Sequence, residues 1–465
     1  MSLRNESKII IVSNFHANKL NNDRRLFIYL PRGYEQNEHK RYQVLYMHAG
    51  QRAFDPVQPG TESWNIHKAA DRLIADGLME EIIIVAIAHV RPTESNEFYH
   101  FTAPNEELAH IKCSGLDYED FIIHDLKPYI DERFRTLTEP RHTALLGSSA
   151  GALSTYNIGF RNPHIFGKLM MLSPYFVKAR LDEQSDSGLF EETIYDMYEG
   201  KPALKIWMDI GDAEGLFLPR HVRGTVDELI GRGYRYGDEI GYLLQPEAAH
   251  QERDWGERVH IPLLYMFGTI GKPVALELIA RDDVGLQGMS VSINALVHYD
   301  SGFVMSELEG TYIVEHPDVL EVTGDGVIIP KAEGVTNVTL IAHGLQASRQ
   351  FTVIKELSHL VCVRMSVKVP SSTPDRSAIY GGMGMKLETT GNLVFEGQFM
   401  VPRDSGYQFR FTRGFRMFEV DAEGNPIRNR CFRADKDVEL HYEVEQWEGL
   451  GKSGPERKDY ADTTF

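Results

Sequence analysis

Residues 142–158 read HTALLGSSAGALSTYNI, an apolar run closed by Gly147-Ser148-Ser149-Ala150-Gly151 and followed at once by a helix-like pattern. A short apolar segment running through small residues into a helix predicts a tight strand-to-helix turn. Such a turn lifts its central side chain, here Ser149, above the edge of a sheet. The helix start beneath it favours developing negative charge. Taken alone the pentapeptide is weak, because in a chain with 40 glycines among 465 residues chance supplies one with a probability of roughly one in five. Its placement between a strand and a helix raises it above a plain glycine-rich turn.

Working outward, short apolar runs alternate with helical patterns from residue 7 to about 260. Ser7–Phe15, Arg24–Leu30, Gln43–His48, Ile82–Ile87, His142–Leu146, Lys168–Leu172, Ala203–Asp209 and Gly241–Leu244 read as strands. Between them Tyr118–Phe134 carries Phe121, Ile122, Leu126, Ile130 and Phe134 at helical spacing. This succession predicts an α/β domain over residues 1–270, a mostly parallel sheet with helices on both faces. After Gly271 the texture changes to alternating apolar and polar residues with Gly and Asp turns, which predicts a β-sandwich over 271–356 and a second one over 357–447. A polar tail, 448–465, is expected to be loosely ordered.

Bulk properties narrow the function. The 49 Lys+Arg against 67 Asp+Glu give a formal charge of -18, which repels polyanions and argues against nucleic acid or anionic lipid as a partner. A neutral or weakly charged small molecule fits better. Three cysteines, Cys113, Cys362 and Cys431, are an odd number with no metal-like spacing, which argues against a disulfide framework and favours a reducing compartment. Residues 1–7 are polar, and Ile9–Val12 is too short for the core of a signal peptide. A cytoplasmic protein is the resulting expectation.

A serine hydroxyl at neutral pH needs a base, and the base needs a third group to hold its tautomer. In an α/β-hydrolase these follow the serine in the order acid, then histidine, on loops after later strands. The run Ala203–Asp209 leads into Gly211-Asp212-Ala213-Glu214-Gly215, where Glu214 is the first candidate acid, Asp212 the second and Asp209 the third. The run Gly241–Leu244 leads to His250, the candidate base, with Glu252 and Trp255 beyond it. His48, His89, His100 and His124 precede the serine and fit less well. The loop Ala49-Gly50-Gln51-Arg52-Ala53 can offer the Gln51 N–H, which with the Ala150 N–H makes a two-donor oxyanion hole.

These stretches together resemble the putative esterase family of α/β hydrolases. That family includes siderophore trilactone esterases such as enterochelin esterase, S-formylglutathione hydrolase (esterase D), feruloyl esterases and mycolyltransferases. The matching segments are Leu45 to Gln51 with Phe54 and Asp55, Asp117 to Arg135, Leu146 to Leu153, Leu172-Ser173-Pro174, Asp209-Ile210-Gly211 with Glu214, and His250 with Trp255. The resemblance implies Ser149 as nucleophile, His250 as base, Glu214 as acid, and Gln51 and Ala150 as oxyanion donors. The chain departs from the family at Ala49, where Asp is usual, at Arg52, where Asn is usual, and at Ala150 and Ala152, where Met and Gly are common. The middle module resembles bacterial Ig-like domains through Val319 to Lys331 and Gln350 to Val353. The last resembles a starch-binding β-sandwich through Phe409 to Phe415, Glu419, Asn429-Arg430 and Trp447.

The expected activity is a serine carboxylic-ester hydrolase acting through an acyl-enzyme on a sugar or polyol ester or a siderophore-type lactone, with neither metal nor organic cofactor. The alternative is a catalytically inactive hydrolase-fold scaffold whose β modules bind carbohydrate. A glycan is a candidate partner of the last module if its aromatics face outward, and an isologous homodimer is the expected assembly.

Overall fold

The computed structural model describes residues 6–55, 62–90, 94–103, 112–181, 189–215, 218–382, 385–414 and 417–449. Phe415 of the starch-binding-like motif and the tail beyond Gly449 lie outside the described residues. Two compact units emerge, one reaching to Leu357 and the other from Ser358 onward.

The first unit is built on an eight-stranded sheet. Its strands are β1 (Lys8–Ala17), β2 (Asn22–Leu30), β3 (Gln43–Met47), β4 (Ile82–Ile87), β5 (Thr143–Ser149), β6 (Lys168–Pro174) and, after a hairpin of β7 (Val177–Leu181) and β8 (Leu189–Thr193), β9 (Lys205–Gly211) and β10 (Ile240–Gln245). The order is β1-β2-β4-β3-β5-β6-β9-β10. The β1/β2 and β2/β4 pairs are antiparallel, and every neighbouring pair from β4 across to β10 is parallel. Sequence explains the difference. Outer β1 mixes exposed and half-buried positions, whereas central β4 is IIIVAI and buried throughout, as a strand covered on both faces must be.

Helices cover both faces: α1 (Ile66–Ala75), α2 (Glu94–Phe98), α3 (Gly115–Asp120), which continues through a π-helical stretch into α4 (Lys127–Arg133), α5 (Ala150–Arg161), α6 (Leu218–Gly231), α7 (Glu252–Arg258) and α8 (His260–Phe267). Strand alternation splits the interior into two cores. Ile83, Val85 and Ile87 join α5 residues Leu153 and Tyr156 on one face. Ile82, Ile84 and Ala86 join α8 residues Leu263 and Leu264 on the other. Strand order, parallel direction and two-sided cover make this the α/β-hydrolase fold expected from the sequence.

Residues 273–357 form β11 (Pro273–Ile279), β12 (Asp283–Gly288), β13 (Asn294–Tyr299), β14 (Val304–Glu307), β15 (Thr311–Val314), β16 (Leu320–Val322), β17 (Ile328–Pro330), β18 (Gly334–Ala342) and β19 (Leu345–Leu357). They make sheets ordered β11-β13-β14 and β12-β19-β18-β15, with β16 paired to β17. These strands have their own core around Val338, Leu340 and Phe351. They also share one with the α/β part: Leu296, Phe303 and Met305 pack with Trp207 and Tyr265, and Phe303 stacks on Tyr265 at 6.0 Å. Asn294 Nδ2 donates to Leu244 O at 2.8 Å, and Leu244 N donates to Ser306 Oγ at 3.0 Å.

The second unit contains an eight-stranded sheet and a two-stranded one. Its core holds Val361, Val363, Met365, Phe409, Phe411 and Trp447. Trp447 is fully buried and its Nε1 donates to Thr373 Oγ1 at 2.8 Å. The aromatics Phe409, Phe411 and Trp447 therefore serve as packing. No helix among the described residues is long and apolar enough to cross a membrane.

Candidate active site

Ser149 is the last residue of β5 and precedes α5 directly, with φ 53° and ψ -126°. A positive φ at a residue bearing a Cβ costs on the order of 1–3 kcal/mol, so the surroundings must enforce it. The glycines show how. A Cβ at Gly147 would lie 2.2 Å from Gly151 O, so only glycine lets the helix fold back this closely on its strand. Tyr175 N donates to Ser149 O at 3.2 Å and ties the turn to the chain leaving β6.

Because β5, β6, β9 and β10 are adjacent and parallel, the segments that follow them all leave the same sheet edge. Glu214 comes from the loop after β9 and His250 from the loop after β10. His250 Nδ1 donates to Glu214 Oε2 at 2.8 Å. The His250 ring meets the edge of Trp255 at 5.0 Å between centroids, and Trp255 in turn lies against Trp64.

Glu214 is buried, and its second oxygen is also occupied. Oε1 accepts from Ser173 Oγ at 2.6 Å and from Gly211 N at 2.7 Å, with Arg258 Nη2 at 3.4 Å. Burial alone would raise the Glu214 carboxyl. The His250 hydrogen bond, the charges of His250 and Arg258 and the Ser173 hydroxyl outweigh it and hold the group below the usual carboxylate range. An ionised acid paired to Nδ1–H leaves Nε2 as the lone-pair nitrogen, the tautomer a base requires.

The other candidate acids have different partners. Asp212 Oδ1 accepts from Glu247 N at 2.7 Å, bracing a residue whose φ is 59° in the loop that leads to His250. Asp209 is fully buried, with Oδ1 accepting from Arg258 Nε and Oδ2 from Trp207 Nε1, both at 2.8 Å. Among the four earlier histidines, His48 is buried next to the elbow. Its Nδ1 lies 3.0 Å from Tyr118 Oη, and burial, helped by His100, lowers its pKa to about 3, which keeps the ring neutral.

Gln51 sits in a single 3-10 turn, Gly50–Arg52, entered through Ala49 in the left-handed region (φ 52°, ψ 39°). Its side chain is anchored to the chain after β4, Nε2 donating to His89 Nδ1 at 3.0 Å. Ala150 is the first residue of α5 and Gln51 the second of its turn, so neither backbone N–H has a partner within its own helix. Arg52 forms an ion pair with Glu252 and so links the Gln51 turn to the start of α7, just past His250. The structure thus brings His250 and Glu214 into contact and sets Ser149 at the same sheet edge. Sequence reasoning had no role for Ser173 or Arg258 around Glu214, and offered Asp209 only as a third candidate acid. Leu172-Ser173-Pro174 stood out only as a family match, and nothing in the pattern of α7 marks Arg258 as buried.

Fold and site together define an α/β hydrolase with a serine elbow and a histidine–carboxylate pair. Residues 17–255 match the model of the family described as "Putative esterase", and the chain belongs to that family. An uncharacterised Bacillus subtilis protein, YjcH, is 27% identical over 174 residues, 37% of this chain and 65% of that protein. An endo-1,4-beta-xylanase/feruloyl esterase of Xylanibacter ruminicola is 30% identical over 235 residues, 49% of this chain and 27% of that protein. The chain thus spans less than two thirds of either relative. Among solved structures, a ferulic acid esterase is similar at 21% identity and TM-score 0.42, covering 56% of this chain and 98% of that one. The enterobactin esterase of Shigella flexneri is similar at 16% identity and TM-score 0.40, covering 57% and 59%.

Proposed function

We propose that this protein is a carboxylic-ester hydrolase with Ser149 as nucleophile, His250 as general base and Glu214 as the acid that orients it. The 2.8 Å pairing of His250 Nδ1 with a buried, ionised Glu214 carries the reading, because a carboxylate held this way supports an imidazole that must become charged in the transition state. Ser149 Oγ attacks the ester carbonyl as His250 Nε2 takes its proton. The tetrahedral oxyanion is received by the N–H groups of Gln51 and Ala150. The imidazolium returns the proton to the departing alcohol, leaving an acyl-enzyme. Water, deprotonated by His250, then releases the acid and restores Ser149. These steps draw on side chains, backbone N–H groups and water alone.

The substrate proposed is a small, neutral ester of a sugar or polyol. A formal charge of -18 disfavours polyanions, and the feruloyl esterase named among the relatives supports an acyl group carried on a carbohydrate hydroxyl. A siderophore-type lactone is the other ester to screen.

The test is turnover of p-nitrophenyl acetate and butyrate, with fluorophosphonate labelling, by the wild type and Ser149→Ala. The variant is expected to lose about 10⁴-fold or more in kcat/KM and all labelling. Undiminished turnover in the variant, or a wild type that neither labels nor turns over, would overturn the assignment.

A further inference from the structure

Arg258 cannot be explained as a surface charge. It is buried at the end of α7, eight residues past His250, and donates from Nε to Asp209 Oδ1 at 2.8 Å and from Nη2 to Ser173 Oγ at 2.7 Å. The same Nη2 lies 3.4 Å from Glu214 Oε1. Ser173 is buried and sits at φ 46°, a strained conformation. Its hydroxyl accepts from Arg258 Nη2 and, at 2.8 Å, from Trp255 Nε1, so the one hydroxyl proton is committed to Glu214 Oε1 at 2.6 Å. Every direction around Ser173 Oγ is therefore assigned.

We infer that Arg258, with Asp209 and Ser173, forms a buried positioning relay that fixes the rotamer and the charge of Glu214, the carboxylate that receives His250 Nδ1–H. The inference rests on the triad reading proposed above. Arg258 and Asp209 are a neutral pair, so together they hold Glu214 without adding net charge. When His250 accepts the serine proton, Glu214 and the imidazolium become a second neutral pair, and the buried cluster reaches balance at the step where the transition state needs it. The groups facing Arg258 and Glu214 are Asp209 on β9, His250 after β10, Tyr242 on β10 and Asp254 on α7. Asp254 is already engaged by Ala249 N and Arg253. Arg258 and Asp209 do not touch the reacting atoms; they act through Glu214.

Two single substitutions unbalance this cluster in opposite senses. Arg258→Met leaves two buried carboxylates near His250, so the acid limb of the kcat/KM profile is expected to move up by about one pH unit. Asp209→Asn leaves the guanidinium facing Glu214 without its paired carboxylate, so the limb is expected to move down by about as much. Because a single buried charge can prevent folding, the double variant Asp209→Asn/Arg258→Met is the companion. It removes a neutral pair and is expected to bring the limb back within about 0.3 unit of the wild type. The same shifts are to be read without turnover, from the His250 ring titration by NMR in the full-length chain, assigned by loss of the signal in His250→Gln. Opposite shifts with restoration in the double variant support the relay. Shifts of one sign, no shift, or a double variant displaced as far as a single one overturn it. Loss of hydrolysis in the wild type with these NMR shifts intact would count against the proposed reaction and leave the relay standing.

Discussion

Glu214 and Asp212 stand two residues apart in one loop, yet Glu214 pairs with His250 while Asp212 braces the backbone at Glu247. Replacing Glu214 by Gln removes the acceptor charge and offers His250 an amide that can impose the wrong tautomer. Loss of about 10²–10⁴-fold in kcat is expected. Asp212→Asn keeps an acceptor for the Glu247 N–H and should cost less than about tenfold. Steady-state kinetics on both variants decide the matter, and a worse Asp212→Asn would move the acid to that position. His48 makes a separate prediction. Its folded pKa of about 3 lies below the ordinary 6.5, so between those values the unfolded chain binds a proton that the folded one does not. The stabilising contribution is fully present above pH 6.5 and is lost as pH falls toward 3, at up to about 1.4 kcal/mol per unit. Between pH 7.5 and 5 the wild type should lose about 2 kcal/mol more than His48→Gln in urea unfolding. Parallel losses would remove His48 as the cause.

At the scale of elements, the β5–α5 turn is where sequence and structure meet most closely. The glycines of 147–151 were legible as a turn because small residues between an apolar run and a helical pattern have few other uses, and the structure gives a reason for Gly147: its missing Cβ makes room for Gly151 O. Strand order carries the loops after β9 and β10 to the same edge, which is why Glu214 and His250 could be expected to lie near each other without coordinates. The relay around Arg258 was not legible. Its partners Asp209 and Ser173 lie 49 and 85 residues away in sequence, and a buried guanidinium looks like any helical arginine until its surroundings are known. In the last module an aromatic-rich pattern suits a glycan platform and a hydrophobic core equally, and only burial of Phe409, Phe411 and Trp447 separates the two. The elbow yields a test with its own control. Gly147→Ala drives a Cβ into a backbone oxygen and should abolish activity and lower stability by several kcal/mol. Gly224→Ala, inside α6 with open space around its Cβ position, should raise stability by about 0.5–1 kcal/mol and leave kcat unchanged. Thermal melts of both proteins check the pair, and a Gly147→Ala enzyme with normal kinetics would show that the turn does not need glycine.

At the scale of the whole molecule, the question is which parts of the chain the α/β sheet needs in order to stand. Residues 273–357 form sheets of their own, but β13 and β14 send Leu296, Phe303 and Met305 into the core that holds Trp207 and Tyr265. Trp207 also donates to Asp209, so this contact reaches the surroundings of Glu214. Exposing three such side chains' worth of apolar surface costs about 5–9 kcal/mol, comparable to the entire stability of an ordinary domain. A chain ending at residue 270 is therefore expected to be insoluble or partly unfolded, with exposed tryptophan. Ser358 onward forms a separate compact unit with its own core, so a chain ending at residue 357 should fold and keep p-nitrophenyl ester turnover within about twofold of the full length. Circular dichroism, tryptophan fluorescence and kinetics on the two truncations decide it. A soluble, active 1–270 protein would show that β13 and β14 only decorate the sheet, whereas an inactive but folded 1–357 protein would show that turnover depends on residues beyond 357.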